Sequence, residues 1–263
     1  MKIFDSHCHL DDKSYNKDLN AVLDRAHNAG VMRMMTVGID ARTSDEAVSL
    51  AQSHEGVFAS VGVHPHDVKN CSEAVLGHLT ALAQNEKVRA WGEIGLDFNR
   101  MYSPQKDQEK WLERQLEIAG GLALPMIFHE RDSDGRFLEI LKGRGLMEIR
   151  GVVHCFSGNG QELEQYLALG LHIGITGILT IESRGAQLRG LVPRIPADRL
   201  LVETDAPYLV PAPEKNHRRR NEPAFVKSVL VKLAEVRKAE PEQLARIVWQ
   251  NTCRLYGLEH LPE

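Results

Sequence analysis

A chain of 263 residues with 43% hydrophobic positions is long enough to bury a sizeable core, and its size and the even spacing of its elements predict a single domain over 1–263. The net charge of −4 argues against a protein that coats long duplex DNA. Four cysteines do not make a disulfide framework, no apolar run is long enough to cross a membrane, and Met1-Lys2 leads straight into the first strand without a signal peptide, so a cytoplasmic location is expected.

Taken in chain order, apolar β-rich runs predict a first strand over Ile3–Ser6, ending on His7 and His9. Alternate residues share a strand face, so the two imidazoles point the same way. Strands follow over Met34–Gly38 and Val57–Val63, the latter succeeded by His64 and His66, and over Val88–Ile94, ending on Glu93. A helix is predicted over Pro104–Ala119, started by Ser103-Pro104 and stopped by Gly120-Gly121, with Trp111, Leu112, Leu116 and Ala119 on its apolar face. Further strands are Pro125–His129, Gly151–His154, His172–Ile175 and Leu200–Thr204, the last followed by Asp205. Helices Pro223–Lys238 and Pro241–Tyr256 close the chain, with Phe225, Val229, Leu233 and Val236 on one buried stripe.

Eight strands alternating with helices predict a (β/α)8 TIM barrel with extra C-terminal helices. The alternative is a doubly wound open sheet, but no Gly-x-Gly-x-x-Gly follows the first strand. In a barrel the C-terminal strand ends converge on one face, so His7, His9, Glu93, His129, His154 and Asp205 are expected in one pocket. One histidine at a strand end is more often a hydrogen-bonded structural residue; six such groups at strand ends point to metal. They suffice for two divalent ions, Mg2+, Mn2+ or Zn2+, with Glu93 as the natural shared carboxylate. Such a pair can activate water, and Asp205 is placed to take its proton as well as to bind. No lysine ends the fourth strand (Lys87 precedes it), so a carbamylated-lysine bridge is not expected.

Around this set, His64 is expected to contact substrate because its loop opens on the same face. Arg131 could grip a phosphate with its planar fork, or instead pair with Asp132 or Asp134. Glu203, sharing a strand face with Asp205, is expected to orient a ligand histidine rather than pair structurally in the barrel. Arg218, Arg219 and Arg220 form the only dense basic run, either solvated surface or a nucleic-acid path. Phe98, Tyr102, Phe156 and Tyr208 are either loop packing or stacking surfaces for splayed bases. Asn251 reads as structural, and Cys8 and Cys155 as barrel packing.

The segments Asp5-Ser-His-Cys-His-Leu10, Gly62-Val-His-Pro-His66, Gly92-Glu-Ile-Gly-Leu-Asp97, Phe128-His-Glu-Arg-Asp132, Val153-His-Cys-Phe-Ser-Gly158, Glu203-Thr-Asp-Ala-Pro-Tyr208 and Arg219-Arg-Asn-Glu-Pro223, with Asn251-Thr, resemble the successive motifs of the TatD family of metal-dependent hydrolases. The resemblance implies an amidohydrolase-type barrel, a divalent metal centre built from those six ligands, and phosphodiester hydrolysis of a DNA substrate. In one branch of that family the first histidine pair can be missing; its presence here implies a full two-metal site. A barrel mouth has no groove for continuous duplex, which favours exonuclease action on ends or single strands. Two rivals stand beside this reading. One is hydrolysis of a small phosphoester, ester or amide, since the same ions polarise carbonyl and phosphoryl oxygens alike. The other is a non-catalytic metal-binding partner protein. No obligate protein partner is evident.

Overall fold

The computed structural model describes residues 1–144 and 149–261. Strands β1 (Ile3–Cys8), β2 (Val31–Val37), β3 (Val57–Val61), β4 (Val88–Asp97), β5 (Met126–Arg131), β6 (Gly151–Val153), β7 (His172–Ile175) and β8 (Leu200–Val202) form one sheet in chain order. Helical crossovers are α1 (Leu19–Asn28), α2 (Ala41–Ser53), α3 (Glu73–Leu82), α4 (Gln105–Gly121), α5 (Arg136–Gly143), α6 (Gly160–Ala168) and α7 (Ala186–Leu191), followed by α8 (Ala212–Lys215), α9 (Val226–Arg237) and α10 (Pro241–Tyr256). This is the (β/α)8 fold. β1 and β3 are buried at every position, as expected for a parallel sheet whose outer face is covered by helices and whose inner face packs on itself. Polar Asp5, Ser6 and His7 inside such a strand therefore mark a site rather than a core.

The chain comprises two compact units. The mid-chain unit holds Val37–His154 and Gly160–His172; the terminal unit holds Met1–Thr36, Cys155–Asn159 and Ile173–Glu263.

In the mid-chain unit β3, β4, β5 and β6 pair in parallel. Helix α4 packs on β4 and buries Trp111, Leu112, Leu116 and Ala119, the face its periodicity predicts. It does not stop at Gly120-Gly121. Both glycines stay helical, and the left-handed turn that ends the segment falls on Ala123 at φ 54°. Glycine inside a helix costs only about 1 kcal/mol, which burial of the four-residue face outweighs. Strand β4 also outruns its expected end at Ile94, reaching Asp97, and β5 runs past His129 to Arg131.

In the terminal unit β1 pairs in parallel with β2, and β7 with β8. A parallel bridge joins Cys8 to Ala206 beyond β8. Helices α9 and α10 pack against β1 and β8, and Phe4 lies 6.1 Å from the Trp249 ring and 6.0 Å from Tyr256. Helix α10 has the predicted bounds; α9 starts at Val226 because Pro223–Phe225 form a single 3-10 turn. Among the described residues no helix is long and apolar enough to cross a membrane. Cys8, Cys71, Cys155 and Cys253 are all free thiols.

Candidate metal centre

The mid-chain unit gathers its donors along β4 and β5. Residues 93, 95 and 97 share one face of β4, and Gly95 pairs with His129 of β5. A Cβ at Gly95 would fall 1.8 Å from the His129 carbonyl oxygen, so only glycine permits this approach. His129 thus stands midway between Glu93 and Asp97. Its Nδ1 lies 3.0 Å from Glu93 Oε1 and its Nε2 lies 3.2 Å from Asp97 Oδ2. His154, immediately after β6, brings Nε2 to 3.6 Å from the same Glu93 oxygen. Ligand atoms of Glu93, His129 and His154 all lie within 4.8 Å of one another.

Burial alone would raise the Glu93 carboxyl, but the surrounding His64, His154 and His129 outweigh it and hold the group well below the carboxylate range. Burial likewise opposes ionisation of Asp97, and the His129 and His66 hydrogen bonds overcome it. For His129 burial disfavours the proton, yet Asp97 and Glu93 raise the ring to about 9. Before a metal can bind there, His129 must lose a proton.

His64 is set differently. Burial lowers its ring to about 4, so it is neutral at pH 7. Its Nδ1 accepts the His66 backbone N–H at 3.1 Å, leaving the ring proton on Nε2, 3.3 Å from Glu93 Oε1. His64, His66 and His129 come within 4.8 Å of one another, but a ring whose outward nitrogen carries the proton donates rather than ligates.

In the terminal unit the donors are positioned by backbone. Asp205 N–H donates to the His7 carbonyl at 2.9 Å, and His9 N–H to the Ala206 carbonyl at 2.7 Å. These two bonds set β1 beside the turn after β8. His7 Nε2 and His9 Nε2 then lie 3.3 Å apart, and 3.7 and 3.4 Å from Asp205 Oδ1. Donors bound tetrahedrally at about 2.0–2.1 Å stand roughly 3.4 Å apart, so this triad has the spacing a Zn-sized ion requires. Asp205 sits at φ 56°, a left-handed conformation that Asp and Asn tolerate best among residues with side chains. The turn is bracketed from both sides. Asp5, pushed up to about 8 by burial, accepts the Thr204 N–H at 2.8 Å and its hydroxyl at 2.6 Å. Asn221 donates through Nδ2 to the Thr204 carbonyl at 2.9 Å and the Tyr208 carbonyl at 2.6 Å.

Glu203 is fully buried and accepts the Cys155 backbone N–H at 2.6 Å and the Ser6 hydroxyl at 3.3 Å. It thereby fixes the residue that follows His154, in space left by Gly174, where a Cβ would meet its carboxylate at 2.6 Å. Arg131 ends β5 on the surface and, among the described residues, pairs with neither Asp132 nor Asp134; Asp132 takes the Asn99 amide instead. The basic run divides. Arg220 is committed to Asp18 at 2.7 Å and Glu222 at 3.0 Å, over the Tyr15 ring, while Arg218 and Arg219 are exposed. The aromatics divide too: Phe156 is buried, whereas Tyr102 and Tyr208 are 55% and 54% exposed. Tyr102 stands edge-on 4.8 Å from the His66 ring, and Tyr208 5.9 Å from the His9 ring. Asn251 is structural, donating to the Ala197 and Leu200 carbonyls.

Asp97, Asn221 and Asp5 are absent from the sequence-derived site. Asp97 had a readable signal, the Glu-x-Gly-x-Asp spacing that puts 93, 95 and 97 on one strand face, but ending β4 at Ile94 made it a loop residue.

The sequence matches the TatD related DNase family over residues 4–257. The "3'-5' ssDNA/RNA exonuclease TatD" of Rahnella sp. (strain Y9602) is 42% identical over 259 residues, covering 97% of this chain and 98% of that protein. Its namesake in Klebsiella pneumoniae (strain 342) is 42% identical over 260 residues, covering 98% of each chain. Among solved structures, the TatD homologue YJJV from Escherichia coli K12 superposes with a TM-score of 0.87 at 31% identity, over 97% of this chain and 98% of that one. A TatD family hydrolase from Entamoeba histolytica gives a TM-score of 0.87 at 25% identity, over 98% and 99%. This chain belongs to the TatD related DNase family.

Proposed function

We propose that this protein is a divalent-metal-dependent exonuclease that hydrolyses phosphodiester bonds of single-stranded DNA or RNA from the 3′ end. The observation that carries the reading is the pair of donor sets, His7–His9–Asp205 and Glu93–His129–His154, each with ligand atoms at ion-binding spacing. The relatives' names supply the substrate and polarity. One ion per set, Mg2+, Mn2+ or Zn2+, is the proposed content; bound there, the ions would acidify a water and screen the phosphoryl charge. In this reading the whole of 1–263 works as one cytoplasmic hydrolase domain without an obligate protein partner.

The chain's own groups then divide the work. A carboxylate oxygen of Asp205 takes the proton of the attacking water. His64, neutral with its one N–H on Nε2 facing Glu93, is the proposed substrate contact, that N–H passing from Glu93 to a non-bridging phosphate oxygen when substrate binds. Arg131, unpaired with its acidic neighbours, offers its fork to the phosphate next along the strand. Glu203 holds the backbone beside His154. The exposed rings of Tyr102 and Tyr208 offer faces for unstacked bases, which a duplex interior does not present.

The test is digestion of 5′-labelled single- and double-stranded oligonucleotides by metal-stripped protein, with Mg2+, Mn2+ or Zn2+ restored singly and Glu93→Ala run alongside. The expected result is a metal-dependent ladder shortening from the 3′ end of single strands, absent in the variant. Cleavage of closed circles as fast as linear DNA would contradict exonuclease action. No cleavage with any metal would move the reading to a small phosphoester substrate.

A further inference from the structure

Asp97 is 1% exposed, and its two oxygens serve different partners. Oδ1 accepts the Asn99 N–H at 3.0 Å and the Arg100 N–H at 2.7 Å, closing the turn after β4. Gln108 holds the same residue by its backbone, accepting the Asp97 N–H at 2.8 Å and donating to its carbonyl at 3.1 Å. Oδ2 is left to face two rings, His66 Nε2 at 2.7 Å and His129 Nε2 at 3.2 Å. An imidazole ligates through the nitrogen that carries no proton, and the hydrogen bond made by the other nitrogen decides which one that is. A carboxylate can only accept, so it calls for a proton on the nitrogen facing it. Glu93 faces Nδ1 at 3.0 Å in the same way, but as a proposed ion ligand it gives up that role when metal binds, which leaves Asp97 to hold the remaining proton on Nε2.

We propose that Asp97 is the positioning residue of the metal centre: it keeps the His129 proton on Nε2 and so presents the Nδ1 lone pair beside Glu93 to a divalent ion. The inference rests on the metal-centre reading above and adds a residue to it. His66 competes for the same Oδ2 and ties the Pro65 loop to the orientation of His129.

Asp97→Asn separates this role from a structural one. The amide oxygen still accepts from Asn99 and Arg100, so the turn keeps its bonds. The amide nitrogen then faces His129 as a donor and drives the ring proton to Nδ1, the metal side. Wild-type and Asp97→Asn full-length chains are loaded with Zn2+ and challenged with graded chelator, retained zinc is counted, and circular dichroism follows the fold. The expected result is loss of zinc at roughly 10- to 100-fold weaker chelation in the variant, with unchanged dichroism. A second measurement needs no variant: the ring 15N spectrum of zinc-loaded wild type should place the His129 proton on Nε2. Equal zinc retention by a folded variant, or a His129 proton on Nδ1, overturns the role of Asp97 alone. A wild-type chain that retains no zinc overturns the metal-centre reading beneath it. If Asp97→Asn does not fold, the ring spectrum decides.

Discussion

The two donor sets are held by contrasting means. His7, His9 and Asp205 take their places from main-chain bonds between β1 and the turn after β8, and that turn is braced by Asp5 and Asn221. Glu93 and His129 are held through side chains, with His129 suspended between two carboxylates and His64 donating toward Glu93. The backbone-built set owes the spacing of its donors to main-chain bonds. The side-chain-built set must give up the proton that holds His129 between Glu93 and Asp97 before it can accept a metal. One set is shaped by folding, the other by charge.

The largest expected effect breaks the backbone-built set at its chemistry. Asp205→Asn should keep the left-handed turn, which Asn also accepts, while turnover falls about 10²–10⁴-fold through loss of the base. Steady-state rates beside an unfolding midpoint check it, and undiminished turnover removes Asp205 from the mechanism. Asn221→Ala attacks the brace instead. Two carbonyls lose their donor, and about 1–3 kcal/mol of stability should go with them, read by urea unfolding.

Next in size, Tyr102→Ala should raise KM on single strands about tenfold, within the span of one base–aromatic stack, while Tyr102→Phe stays near wild type. An oligonucleotide with abasic 3′ residues should lose that sensitivity; equal KM for all three proteins would make Tyr102 a loop residue. The smallest effect concerns the arginine that folding claims. Arg220 hydrogen bonds lower the Asp18 carboxyl from 3.8 to about 2. A depressed acid contributes stability above its unfolded value and loses it as pH falls through the folded one. The slight advantage of wild type over Asp18→Asn should therefore hold at pH 6 and vanish toward pH 2 in denaturant titrations.

Much of this arrangement is legible in the sequence, because alternation within a strand and convergence at strand ends are strong rules. The His-x-His of β1, the (β/α)8 order and the buried face of α4 all follow from periodicity. What escapes depends on partners remote in sequence. Asp97 is hidden by a strand that outruns its expected end, since β4 continues through Gly95 and Leu96 to a polar residue that His66, His129 and Gln108 satisfy. Arg220 looks like a nucleic-acid contact until Asp18 and Glu222 are placed beside it. Asn221 stands within the Arg219–Pro223 motif, but its bonds to the Thr204 and Tyr208 carbonyls exist only once the chain has folded.

The most direct measurement of the central claim is the number of zinc ions held per chain by wild type, by a His7→Ala/His9→Ala double variant and by Glu93→Gln. Two donor sets predict two ions in wild type and one in the histidine double variant, with the remaining ion weakened when Glu93 is neutralised. A single ion in wild type, or none in the folded double variant, would contradict the two-set account.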